Sequence, residues 1–213
     1  MQFDEVYSMS ENVFGSQPER ILINFCAYID KSKPVLDIGA GQGRNSFFLA
    51  KKGFSVDAID PSGIAVGTIL SISKKENIKI NAYQTDFSKF AAGNKPYSAV
   101  LIFGLLQILD WDSIKLLLDK INYWTVTGSL IFVTAFLTGD NSYKKYQEKW
   151  VREGKASFTG GKGNYRTFLE PDEILKVFDN YKAIYHWEGL GPKHRHGNGP
   201  LQQHHLVEYV GVK

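Results

Sequence analysis

The segment VLDIGAGQGRNS, residues 35–46, constrains the fold more than any other part of the chain. A short apolar run, residues 35–39, has the character of a buried strand. It leads into Gly39, Gly41 and Gly43 at alternate positions, after which helical spacing begins and continues to about Lys52. Glycine tolerates positive φ and leaves the backbone uncovered, so such a turn presents the unpaired N–H groups of a helix N-terminus to a ligand. The spacing is GxGxG, and Arg44 stands where a dinucleotide fingerprint would carry its last glycine. Asp37, two positions before the first glycine, can brace this loop or reach a cationic ligand. A glycine cluster that binds nothing is the plainer alternative.

The same strand, turn and helix rhythm repeats along the chain. Apolar spacing at Ile21, Leu22, Phe25, Cys26 and Ile29 predicts a first helix after Pro18, broken at Lys33-Pro34. A second strand is predicted over 54–60, with a helix opened by Pro61. A third strand is predicted near 78–84, a fourth over 97–103, an amphipathic helix over 111–124 and a fifth strand over 129–136. Strands alternating with helices predict an α/β fold with a parallel sheet. Pro171 starts another helix, and the runs 183–190 and 205–212 flank a glycine-rich turn, which predicts an antiparallel hairpin. Together these make seven strands in one domain, residues 1–213.

Two acids stand at strand ends in this scheme. Asp60 ends the second strand, where the crevice of a doubly wound sheet lets a carboxylate accept from both hydroxyls of a ribose; capping the next helix is its structural alternative. Asp86, in QTDF, ends the third strand facing the same crevice, where it can accept from an adenine amino group while Phe87 supplies apolar contact. A turn carboxylate bonded to its own backbone is the alternative there.

The D-x-G-x-G-x-G loop, the acid ending the second strand and the Asp-Phe pair ending the third together resemble the class I S-adenosylmethionine-dependent methyltransferases, over about residues 34–136. The resemblance implies a seven-stranded, Rossmann-like, doubly wound sheet, parallel with a final antiparallel hairpin. It implies that Asp37, Gly39 and Gly41 hold the methionine part of S-adenosylmethionine, with Gly43 in the same loop, that Asp60 holds the ribose, and that Asp86 and Phe87 hold the adenine. The stretch GQGRNSFFLAKKGFSVDAIDPS and the tail KHRHGNGPLQQHHLVEYVGVK are similar to the tellurite-resistance methyltransferases. That likeness places His194 and Arg195 on a pair those enzymes are thought to use at the acceptor. His194 or His196 would serve as a base for an acceptor carrying a proton, and Arg195 would hold an anionic one with its planar fork.

The N-terminal segment and helix, residues 1–33, are expected to cover the cofactor. Phe14 and Tyr7 are candidates to face the sulfonium, since aromatic faces attract such cations. Residues 138–168 break the rhythm, lack a long apolar period and are rich in glycine, which predicts an insertion that acts as a lid. Seven basic residues there, Lys144, Lys145, Lys149, Arg152, Lys155, Lys162 and Arg166, are interleaved with Tyr143, Tyr146, Trp150 and Phe158. That pattern serves either a solvated lid or a nucleic-acid surface.

With 25 Lys and Arg against 22 Asp and Glu, the net charge of +3 argues against a nucleic-acid partner. The five histidines give a poor preformed metal cage, because neighbours such as His204 and His205 on a strand point to opposite faces, so no metal is expected. The lone Cys26 and the absence of an apolar run of membrane-spanning length lead to the expectation of a cytoplasmic protein. The expected activity is methyl transfer from S-adenosylmethionine to a small molecule (a thiol, an oxyanion such as tellurite, or an amine), releasing S-adenosylhomocysteine. RNA or protein methylation through the basic insertion, or a non-catalytic nucleotide-binding protein on the same fold, are the alternatives. Oligomeric state leaves no mark in the sequence.

Overall fold

The computed structural model describes residues 2–8, 10, 12–93, 96–195 and 199–213. Helices α1 (Gln2–Ser8) and α2 (Arg20–Phe25) precede β1 (Val35–Ile38). The chain then alternates α3 (Arg44–Lys51), β2 (Val56–Asp60), α4 (Gly63–Glu76), β3 (Asn81–Gln84), β4 (Tyr97–Phe103), α5 (Trp111–Trp124) and β5 (Thr125–Phe136). Next come α6 (Asn141–Lys149), three short strands β6 (Val151–Gly154), β7 (Ser157–Gly161) and β8 (Asn164–Thr167), the short helix α7 (Glu173–Val177), and the closing strands β9 (Lys182–Leu190) and β10 (His205–Val212).

The main sheet has the seven strands expected, in the order β3-β2-β1-β4-β5-β10-β9. Strands β1 to β5 run parallel, and β10 runs antiparallel to both β5 and β9. Helices cover both faces, so inner strands are apolar on both sides and alternate residues enter different layers. Leu36, Ile38, Val100 and Ile102 pack with Ile114, Leu117 and Ile121 of α5 and Ile174 of α7. Val35, Ala99 and Leu101 face Ile21 and Leu22 of α2, Leu49 of α3 and Ile69 of α4. Among the described residues no helix is long and apolar enough to cross a membrane.

Strand order reverses between β1 and β4, which opens a crevice at their carboxyl ends. The glycine loop follows β1 there, Asp60 ends β2, and Gly104 to Gln107 follow β4. Because Leu206 pairs with Phe136 at the end of β5, the start of antiparallel β10 rises to this same edge.

Residues 138–168 are a folded unit instead of an irregular loop. Helix α6, capped by Asp140 accepting from the Ser142 amide, leads into an antiparallel β6-β7-β8 sheet. Ala156, Phe158 and Phe168 are buried, with Phe136, Tyr143, Tyr146 and Trp150 packed around them. The aromatics interleaved with basic residues therefore turn inward and make a small core, so they do not form an exposed base-stacking platform. Thr167 Oγ1 donates to the Leu109 carbonyl and Trp111 Nε1 to the Lys155 carbonyl at 2.7 Å, which ties the unit over the connection after β4.

Candidate functional site

Gly39, Gly41 and Gly43 all have positive φ (69°, 54° and 88°), as their spacing predicts, but they serve different ends. A Cβ on Gly43 would lie 2.8 Å from Ile69 Cγ1, so that glycine lets α3 close onto α4. One on Gly39 would reach only Leu105, at 3.5 Å. One on Gly41 would meet the Tyr7 hydroxyl at 3.0 Å. The loop backbone thus meets no tightly packed side chain at Gly39, while at Gly41 it lies under the Tyr7 hydroxyl of α1.

Two buried carboxylates brace the loop from below. Asp37 Oδ2 accepts from the Ser46 hydroxyl at 2.6 Å, and burial pushes its carboxyl up to about 6 against that hydrogen bond and the pull of Arg44. Asp60 accepts from the Gly41 amide at 2.9 Å through Oδ2 and from the Ser62 amide at 2.8 Å through Oδ1. Burial raises the Asp60 carboxyl as well, opposed by these two amides. An ionised carboxylate offers about four acceptor directions, so roughly two remain for a ligand.

Among the described residues, Asp86 and Phe87 make no side-chain hydrogen bond to the glycine loop. Oδ1 of Asp86 accepts from Ser88 and from the Lys89 amide, and Oδ2 accepts from Lys89 Nζ at 2.9 Å, so the carboxylate closes its own turn. Burial opposes ionisation, yet those donors hold the Asp86 carboxyl down at about 2. Phe87 is buried in the core beside Leu36 and Ile38. An open depression of about 740 Å³ lies beyond them along edge strand β3, lined by Tyr83, Gln84 and Lys89 among others; it is separate from the glycine loop.

Residues 22–180 match the family model described as tellurite resistance protein TehB. The chain belongs to the TehB family. Probable S-adenosyl-L-methionine-dependent methyltransferase TehB of Haemophilus influenzae is 23% identical over 130 residues, which is 54% of this chain and 45% of that protein. Probable (S)-tetrahydroprotoberberine N-methyltransferase 2 of Papaver bracteatum is 25% identical over 166 residues, 76% of this chain and 44% of the relative. The chain thus spans less than half the length of either relative. The crystal structure of TehB from Haemophilus influenzae superposes with a TM-score of 0.70 at 16% identity, covering 92% of this chain and 62% of that one.

The letters between and after the glycines of this TehB-family loop have a structural task that sequence reading missed. Gln42 Nε2 donates to the Ser10 carbonyl at 2.6 Å and Gln42 Oε1 accepts from the Val13 amide at 2.9 Å. Arg44 donates to the Phe14 and Gln17 carbonyls and pairs with Glu19, whose own amide donates to Asn45 Oδ1. The loop and the start of α3 therefore strap the N-terminal segment across the crevice. Tyr7 is buried and Phe14 meets it edge-on, with ring centroids 5.9 Å apart. Burial, with Asp60 and Asp37 beside it, pushes the Tyr7 phenol well above its usual range and keeps it neutral. Gln42→Ala removes these two part-buried hydrogen bonds to backbone, worth about 1 kcal/mol each, together with a longer one to the Tyr7 carbonyl at 3.4 Å. It should make residues 1–19 more sensitive to limited proteolysis and weaken binding of S-adenosylhomocysteine by about tenfold, which calorimetry reads; an unchanged affinity would uncouple the strap from the site.

At the other side of the carboxyl edge, His194 is half-buried and its Nδ1 lies 3.1 Å from the Pro192 carbonyl oxygen. Arg195 is exposed and donates to the Gly199 carbonyl of its own turn at 3.0 Å. His196 lies outside the described residues. Asp172, His186 and Glu188 bring ligand-type atoms within 4.8 Å of one another. The two ring nitrogens of His186 face different carboxylates, Nε2 toward Glu188 at 3.1 Å and Nδ1 toward Asp172 at 3.9 Å, so both cannot serve a single ion.

Proposed function

We propose that this chain transfers the methyl group of S-adenosylmethionine to a small-molecule nucleophile, namely a thiol, an oxyanion or an amine. The observation that carries this is the buried Asp60 carboxylate joined to the Gly41 amide at the switch point of the sheet. The residues fit the cofactor: the loop backbone carries no side chain of its own at Gly39 and Gly41, Asp60 keeps acceptor capacity for ribose hydroxyls, and Asp37 braces the loop. When bound, the sulfonium supplies a methyl group that is already activated, so the protein's task is orientation and exclusion of water. Tyr7 and Phe14 offer aromatic faces to a cation, and the strap through Gln42 and Arg44 closes the crevice. Phe87 and the turn closed by Asp86 stand beside the adenine end. His194 and Arg195 stand at the acceptor end, with residues 138–168 as its wall.

A mixture of S-adenosylmethionine with selenite, a thiol and a secondary amine as acceptors tests the reading, with release of S-adenosylhomocysteine as the signal. Release with none of them, together with no calorimetric binding of S-adenosylhomocysteine, would defeat it. If Arg195 orients an anionic acceptor, Arg195→Ala should cut selenite turnover about 10²-fold, roughly 2.7 kcal/mol, while S-adenosylhomocysteine binds as before. Full turnover in that variant would leave Arg195 as a hairpin-turn residue only.

A further inference from the structure

Asp140 and His204 form a pair that the reading above does not use. Asp140 lies just beyond β5 and its side chain is only 1% exposed. Its Oδ2 accepts from His204 Nδ1 at 3.0 Å and from the His205 amide at 2.9 Å, and its Oδ1 accepts from Ser142. Burial works against the charge, but these donors hold the Asp140 carboxyl down at about 2. It is therefore an acceptor only, and Nδ1 of His204 must carry the hydrogen of that bond. A neutral His204 then has its lone pair on Nε2, for which no partner occurs among the described residues.

The ring is held as firmly as the bond. It stacks on Phe136 with centroids 4.3 Å apart and planes 22° from parallel, and the His194 ring stands 5.3 Å away. His205, its neighbour, packs so tightly against Gly139 that a Cβ there would overlap its ring. All of this sits at the carboxyl end of β5 and the start of antiparallel β10, on the edge that also carries the glycine loop. Between the two lies the connection after β4, where Leu105 is the nearest side chain to a Cβ on Gly39 and the Gly104 amide donates to Thr134. That connection also holds Gln107, whose buried side-chain oxygen has no partner among the described residues. A buried acceptor without a donor is costly in a folded protein, which marks it as a place for a ligand's N–H or S–H.

We infer that His204, oriented by Asp140, is the proton acceptor for a methyl acceptor that enters with a hydrogen on its attacking atom, a secondary amine or a thiol, beside the aromatic wall of Phe136. This rests on the methyl-transfer reading. The acceptor's lone pair forms the new bond to the methyl carbon, the electron pair of the broken S–CH3 bond stays on sulfur, and the hydrogen of the acceptor leaves as a proton to His204 Nε2. His204 is the catalytic residue in this step and Asp140 the positioning residue, fixing the tautomer.

Two measurements on the full chain test it. Nitrogen-15 shifts of the His204 ring should report hydrogen on Nδ1 and a bare Nε2 in the neutral form; the reverse tautomer overturns the inference. His204→Asn keeps an N–H for Asp140 while removing the base. Its turnover should fall at least about 10²-fold more with 1,2,3,4-tetrahydroisoquinoline or phenylmethanethiol, an alkyl thiol that keeps its proton at neutral pH, than with selenite, whose selenium lone pair bears no proton. Loss of activity on one of the first two alone assigns the acceptor to amines or to thiols. An equal loss on all three, or no loss on any, overturns the inference. If the wild-type chain methylates none of the three, the tautomer decides alone, and calorimetry with S-adenosylhomocysteine tells that failure from failure of the methyl-transfer reading itself.

Discussion

A Gly41→Val chain should bind no S-adenosylmethionine at concentrations that saturate the parent, a loss of about 10³-fold or roughly 4 kcal/mol. Valine is poorly suited to a φ of 54°, where an L side chain costs roughly 1–2 kcal/mol even without branching. Its Cβ would also sit 3.0 Å from the Tyr7 hydroxyl and rise over the backbone that a ligand must approach. The Gly41 amide would still reach Asp60, so the fold should survive. Gly43→Val is the informative contrast, because its Cβ would press on Ile69 and Phe47 and should cost stability as well as binding. Thermal melts beside calorimetry separate the two. Retained affinity in a folded Gly41→Val chain would mean that the loop does not cradle the cofactor.

Asp37→Asn should have opposite effects on stability and binding. Burial raises the native Asp37 carboxyl to about 6, while an unfolded aspartate lies near 3.8. The native state therefore holds this proton more tightly than the unfolded chain does. Its contribution to stability is fully present below about pH 4 and is lost as pH rises through about 6; at pH 7 the buried charge costs up to about 3 kcal/mol. Asparagine removes that cost. The variant should melt about 6–12 °C higher at pH 7, taking 2–4 °C per kcal/mol for a chain of this size, and should lose the fall in stability between pH 4 and pH 6. If Asp37 serves the methionine end of the cofactor, binding should weaken by at least about tenfold in the same protein. A melting point that stays put at both pH values would show that Asp37 carries no such penalty.

The elements that announce themselves in the sequence are those whose pattern is local. The strand over 97–103 and the helix over 111–124 appear as read, because continuous apolarity and a 3.6-residue period leave no competing structure. The third strand is shorter than its apolar stretch, since Ile78 and Ile80 pack into the core ahead of the first ladder pair at Asn81. Helix α7 also covers less than the run from Pro171, with Asp172 at a φ of 59° before its first turn. The internal fold of the insertion at 138–168 leaves no mark in the sequence for a different reason. Its core is made of aromatics from a helix, a strand and a segment after the last strand, so no single window shows a period. Its glycine turn at Gly161 to Gly163 joins two strands whose alternation covers only four or five residues.

The site divides in the same way. Asp37, Gly39, Gly41 and Asp60 meet because consecutive βα units of a parallel sheet must end on one edge, which a sequence can reveal. Gln42 and Arg44 bind carbonyl oxygens, and any residue supplies a carbonyl, so nothing in their identity names the partner. Asp140 and His204 lie 64 positions apart and meet only because β10 runs antiparallel beside β5.

The two ends of the β5–α7 excursion touch each other. The Thr138 amide donates to the Leu169 carbonyl and the Leu169 amide to the Phe136 carbonyl, both at 2.9 Å, while strands β6 to β8 pair only among themselves. The stretch beyond Asp140, up to Phe168, can be exchanged as one cassette: its stems are already closed, and closing a loop of another length changes the entropy by only about 0.6 kcal/mol per doubling. A lineage, or a protein engineer, can therefore graft a new roof onto this scaffold without disturbing a single rung of the main ladder.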